Sequence, residues 1–156
     1  MLFRSIRPDV VTMAKALGNG LPIGACWARA EVANAFEPGD HATTFGGQPL
    51  ATATARAVLG EMRRLDIPAR AARAGDRLVQ ALRETPGIAG VRGLGLLVAA
   101  QLEEGRDAKA VVNACLGAGL VVNAVTPTAL RFAPPLTVSD AEIDDAVAIL
   151  AKVLST

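Results

Sequence analysis

Lys15 is the one charged residue in "VVTMAKALGNGLPIGA", residues 10–25. A lysine there either carries its charge to solvent or is held near neutral for chemistry. Apolar neighbours disfavour the ammonium, and the amine they leave is nucleophilic. Such an amine is suited to forming an imine with a carbonyl. Thr43 and Thr44 precede an aromatic residue and a Gly-Gly pair in "HATTFGGQPLA", residues 41–51. A hydroxyl and exposed amides beside a glycine turn and a helix start make a cradle for an oxyanion, or simply a helix cap. Arg131, in "ALRFAPPL", offers a planar fork that suits a carboxylate, or else a surface salt bridge.

Other reactive side chains carry less. His41 is the only histidine, and its loop suits a positioning or exposed role better than that of a general base. Cys26 and Cys115 are far apart and lack ligand or redox spacing, so two buried thiols are expected and no metal site. "GNG" and "GLG" do not make a dinucleotide loop, because no complete GxGxxG follows a strand.

The elements that must position these residues follow from pattern. "PDVVTMA" reads as a short buried strand stopped by the lysine and "GNG", and "LPIGACWA" as a second, both belonging to a parallel sheet. "RAEVANAF" is a short helix. Residues 49–64 form an Ala-rich helix with Pro49 in its first turn, and residues 69–83 form another. "VRGLGLLVAAQLE" reads as one strand with an early glycine kink. Residues 107–116 are helical, and "GLVVNA" and "LRFAPPL" pair around the "VTPT" turn. Ser139 and Glu142 have the spacing of a capping box for a last helix, with Ile143, Val147, Leu150 and Leu154 as its apolar stripe. The order of elements changes near Leu65. This predicts an α/β portion over 1–65 and a smaller α+β domain over 66–156.

Composition excludes several classes. The chain has 156 residues, is 51% hydrophobic and carries a net charge of +1. It is therefore a folded protein without long-range attraction for nucleic acid or anionic membranes. Tyrosine is absent and only 3% of residues are aromatic, which disfavours base stacking. The uncharged run 110–130 is long enough to span a bilayer. Asn113, Gly117, Gly119, Asn123 and Pro127 interrupt it, so a helix end, a turn and a strand fit better. No signal peptide is evident, and the protein reads as cytoplasmic.

"PDVVTMAKALGNGLPIGA" resembles the cofactor-lysine segment of class III pyridoxal-phosphate (PLP) aminotransferases. Asp9, Val10, Val11, Ala14, Lys15, Asn19 and Gly20 fill that signature in order. "HATTFGGQPLA" resembles the loop whose threonine binds the cofactor phosphate of the other subunit, which carries over to Thr44. Gln48 stands where the family more often has Asn. "ALRFAPPLTVSDAEID" resembles the carboxyl-terminal segment whose arginine clamps the substrate carboxylate, which carries over to Arg131. "VVNAVTPTALRFAPPL" is similar to the acetylornithine branch more than to the 4-aminobutyrate branch.

The resemblance implies the carboxyl-terminal portion of a fold-type I transferase. It implies a homodimer that moves an amino group from N-acetylornithine to 2-oxoglutarate in arginine biosynthesis, with Lys15 holding the cofactor. Ornithine, succinylornithine or 4-aminobutyrate transamination is the near alternative, and a non-catalytic interaction fragment the distant one. The family's phosphate loops, ring-stacking aromatic and Asp-Glu pair are expected to be missing. "MLFRS" does not resemble the family's lead-in.

Overall fold

The computed structural model describes residues 6–155. The opening residues 1–5, singled out above, lie outside them. The chain divides into two compact units at Arg64 and Leu65.

In the first unit, β1 (Val10–Met13) pairs antiparallel with β2 (Ala25–Ala28), with Val10 opposite Ala28 and Met13 opposite Ala25. The two strands, expected as members of a parallel sheet, thus run antiparallel to each other. A β-branched run does not distinguish a buried parallel strand from half of a hairpin. An Asp9–Arg29 ion pair at 3.3 Å closes the open end of the ladder. The short helix α1 (Ala30–Ala33) follows, then a long loop and α2 (Pro49–Arg64), which starts at Pro49 as expected. Among the described residues of this unit only Gly18 and Ala55 are buried. Trp27 is 49% exposed, and Met13, Phe36, Phe45 and Leu50 are exposed as well.

The second unit holds the core. Helix α3 (Ile67–Arg83) presents Ala74, Leu78 and Leu82 at four-residue spacing, all buried, as an amphipathic helix must. Pro68 stands in its first turn. The segment expected as one kinked strand is instead a hairpin, β3 (Ile88–Leu94) and β4 (Leu97–Leu102), turning at Gly95 with φ +54°. Glycine supplies that left-handed conformation without a Cβ penalty. Helix α4 (Ala108–Gly117) is capped by the Asp107 carboxylate, which accepts from the amides of Lys109 and Ala110. Strands β5 (Asn123–Thr126) and β6 (Ala129–Phe132) form the expected hairpin. The sheet order is β3-β4-β6-β5, antiparallel throughout.

Helix α5 (Asp140–Leu154) opens with the full capping box: Ser139 Oγ accepts from the Glu142 amide, and Glu142 accepts from the Ser139 amide at 2.7 Å. Its stripe buries Ile143, Leu150 and Leu154, with Val147 half-buried. These pack with Val98, Ala100, Leu130, Phe132 and Cys115. Arg77 grips Asp144 through two guanidinium nitrogens and ties α3 to α5. No described helix is long and apolar enough to cross a membrane.

Candidate functional site

Lys15 does not end a strand. Ala14 leaves β1 in an extended conformation, and Lys15–Leu17 form a single 3-10 turn. Lys15 itself has φ +54°, in the left-handed region, and Asn19 follows with φ +45°. For a non-glycine residue this region costs about 1–3 kcal/mol and is kept where the surroundings impose it.

Here the loop imposes it. Gly18 is buried, and a Cβ on it would lie 2.2 Å from the Leu21 carbonyl oxygen and 2.7 Å from Ile23 Cγ2. The Leu21 amide donates back to the Gly18 carbonyl. The chain folds over itself so tightly that the lysine backbone takes up the turn. Lys15, Gly20, Leu21, Pro22 and Ile23 line a hollow of about 410 Å³. The Lys15 side chain is exposed and has no hydrogen bond or ion pair among the described residues. The apolar neighbours in sequence therefore do not bury it in this structure.

Thr43 and Thr44 part company. A Cβ on Gly46 would sit 2.2 Å from Thr43 Cγ2, so the Thr43 side chain folds back over Gly46. Thr44 is exposed, with no hydrogen bond among the described residues. Gly47, at φ +69°, turns the chain into α2, whose first amides lack intrahelical partners. Hydroxyl, glycine turn and helix start thus adjoin along one short stretch. His41 is exposed in the same loop.

Arg131 lies in the second unit, on the outer face of the sheet. Leu130 and Phe132 on either side are buried, and alternation turns Arg131 outward, where it is exposed and unpaired. It stands opposite Ala99 on β4 and Asn123 on β5, and Ala99 in turn stands opposite Arg92 on β3. The sequence reading missed Arg92. Its signal was available in principle, but reading 91–103 as one strand concealed the hairpin that brings Arg92 into this row. Cys26 is exposed and Cys115 buried, so one of the two expected buried thiols is not buried. Burial pushes the Cys115 thiol above its ordinary range.

The family model "Aminotransferase class-III" matches residues 1–154. Acetylornithine aminotransferase of Corynebacterium efficiens is 48% identical over 150 residues, which are 96% of this chain and 37% of that protein. Among solved structures, ornithine aminotransferase of Toxoplasma gondii, crystallized with oxidized glutathione and holding PLP at partial occupancy in its active site, superposes with a TM-score of 0.87 at 33% identity. That match covers 96% of this chain and 37% of that one. Acetylornithine aminotransferase of Elizabethkingia anophelis gives 0.85 at 30% identity, covering 96% of this chain and 41% of that one. The chain thus spans 37% to 41% of the length of these relatives.

Proposed function

The chain belongs to the class III aminotransferases, and from that premise we propose that it takes part in PLP-dependent transfer of an amino group from N-acetylornithine to 2-oxoglutarate, in arginine biosynthesis. The observation that carries this reading is Lys15, a primary amine on a strained turn that opens into a hollow. The donors suit the cofactor in kind: an amine for the aldehyde of the cofactor held here, and a hydroxyl with a glycine turn and helix amides for the phosphate of one held by a second copy. Bound there, PLP supplies the electron sink that lets a carbon beside nitrogen lose its proton.

The residues of this chain divide the remaining work. Lys15 Nζ would hold the cofactor and, once displaced by the substrate amine, would take the proton from the amine-bearing carbon of the substrate and return it to the product. The Thr44 hydroxyl donates to the phosphate bound by a second copy of the protein, so that the working form is a homodimer. Arg131 receives a substrate carboxylate through its planar fork. Balanced charge supports an enzyme acting on small molecules.

Borohydride reduction of the protein with PLP, followed by peptide mapping, tests the central assignment. The chain has three lysines, and the label is expected on Lys15. Labelling of Lys109 or Lys152 in its place overturns the reading.

A further inference from the structure

The chain has four asparagines, Asn19, Asn34, Asn113 and Asn123, and only Asn19 precedes a glycine; an alanine follows each of the others. Asparagine is chemically labile because its side chain lies within reach of its own backbone. The nitrogen of the next residue attacks Cγ, a C–N bond forms, and ammonia leaves. Water then opens the succinimide at one carbonyl to give aspartate, or at the other to give isoaspartate. The closure needs a backbone nitrogen free of hydrogen bonds and a peptide that is able to rotate towards Cγ.

Both conditions meet at Asn19. Asn19 and Gly20 have φ +45° and +112°, and the Leu21 amide donates to the Gly18 carbonyl at 3.1 Å. This is a type I′ turn, for which Asn-Gly is the favoured central pair. The Asn19 amide donates to the Ala16 carbonyl at 3.2 Å, whereas the Gly20 amide has no hydrogen bond among the described residues. A Cβ on Gly20 would meet nothing within 4 Å, so a rotating peptide meets no obstacle there. Across the turn, one hydrogen bond restrains it. All four asparagines are exposed, so exposure does not set Asn19 apart; the free nitrogen does. Asn113 lies inside α4 and Asn123 in β5, where regular hydrogen bonds hold the backbone. After Asn34, the Ala35 amide donates to the Val32 carbonyl at 3.2 Å.

We propose that Asn19 is a site of spontaneous covalent modification, closing through the Gly20 nitrogen and opening to aspartate and isoaspartate. Both products place a carboxylate four residues from Lys15. Isoaspartate also routes the main chain through Cβ and Cγ, which lengthens it by one methylene just before Gly20. Gly20 lines the hollow beside Lys15, so the wall of that hollow changes with the modification. The inference stands on the turn alone, whatever the amine of Lys15 does.

The test is incubation of the full 156-residue chain in warm, mildly alkaline buffer, with peptide mapping that resolves aspartate from isoaspartate at each asparagine. A second sample is kept unfolded in guanidinium. In the folded chain Asn19 is expected to convert at least about tenfold faster than each of the other three, because hydrogen-bonded backbone must first open and the Gly20 nitrogen need not. Unfolding should speed Asn19 by less than about threefold, and Asn113 and Asn123 by more. Both products should accumulate at Asn19; aspartate alone would mean direct hydrolysis of the side chain and would remove the succinimide route. Equal folded-state rates at all four asparagines overturn the proposal. So does an Asn19 that converts only in guanidinium, since the turn would then shield the amide rather than expose it.

Discussion

At Lys15 the backbone and the side chain make opposite demands. The amine is the group the chemistry requires, yet the backbone conformation is one that glycine adopts without cost. Replacing Lys15 by glycine should therefore give a protein more stable than Lys15→Ala by about 1–2 kcal/mol, the cost of a left-handed L-residue, although both lose the amine. Urea melts of the two variants check this, and equal midpoints would show that the turn is not strained. The thiols make a second residue-scale contrast. Cys115 is buried and its thiol is harder to ionise, while Cys26 is exposed. A thiolate-selective reagent should therefore modify Cys26 quickly and Cys115 only on unfolding. Two equally fast thiols would contradict the core packing. The position of Lys15 was legible in the sequence because motif spacing is one-dimensional. Its φ angle was not, because it arises from how closely Gly18 approaches Leu21 and Ile23.

Among the elements, two helical glycines invite opposite outcomes from one substitution. Helix propensity alone favours alanine by about 1 kcal/mol. A Cβ at Gly60 of α2 meets nothing within 4 Å, whereas at Gly75 of α3 it would lie 2.1 Å from the Gly95 carbonyl oxygen. Backbone cannot swing aside as a side chain can, and overpacking costs about 1–3 kcal/mol or more. Gly60→Ala should thus raise the melting temperature and Gly75→Ala lower it, and a stable Gly75→Ala would mean that α3 does not seat on the β3–β4 turn. At the start of α5, Ser139→Ala should cost about 1 kcal/mol. The bonds from the Ser139 amide and hydroxyl hold the Glu142 carboxyl below its usual range. That contribution is complete at neutral pH and is lost as pH falls through the depressed value, below the usual glutamate pKa of about 4.3. Stability of the wild type should therefore fall more steeply with acid than that of Ser139→Ala. This cap was legible because a capping box is local, as was the stripe of Ile143, Leu150 and Leu154. The β3–β4 hairpin was not, because "GLGLL" satisfies a kinked strand and a tight turn equally until the partner strand β6 is known.

For the whole molecule, burial is unevenly shared. Nearly every buried side chain of the described residues belongs to 65–155, and 6–64 contribute Gly18 and Ala55. Amide hydrogen exchange should accordingly be slow in α3, β4, β6 and α5 and fast in β1 and β2. Uniform protection would show that the first unit is better covered than its side chains indicate. The chain also contains one tryptophan and no tyrosine, and that tryptophan, Trp27, lies half-exposed on β2 of the sparsely buried unit. Its emission is therefore a local gauge that says nothing of the core, already close in the native state to that of indole in water. Circular dichroism draws on α2 of the same unit as well as on α3, α4 and α5 of the other. In a denaturant series the small red shift of the indole should accompany the first part of the helical loss, that of α2, and be finished before α3, α4 and α5 melt, so that the indole describes only the earlier of two transitions of one chain.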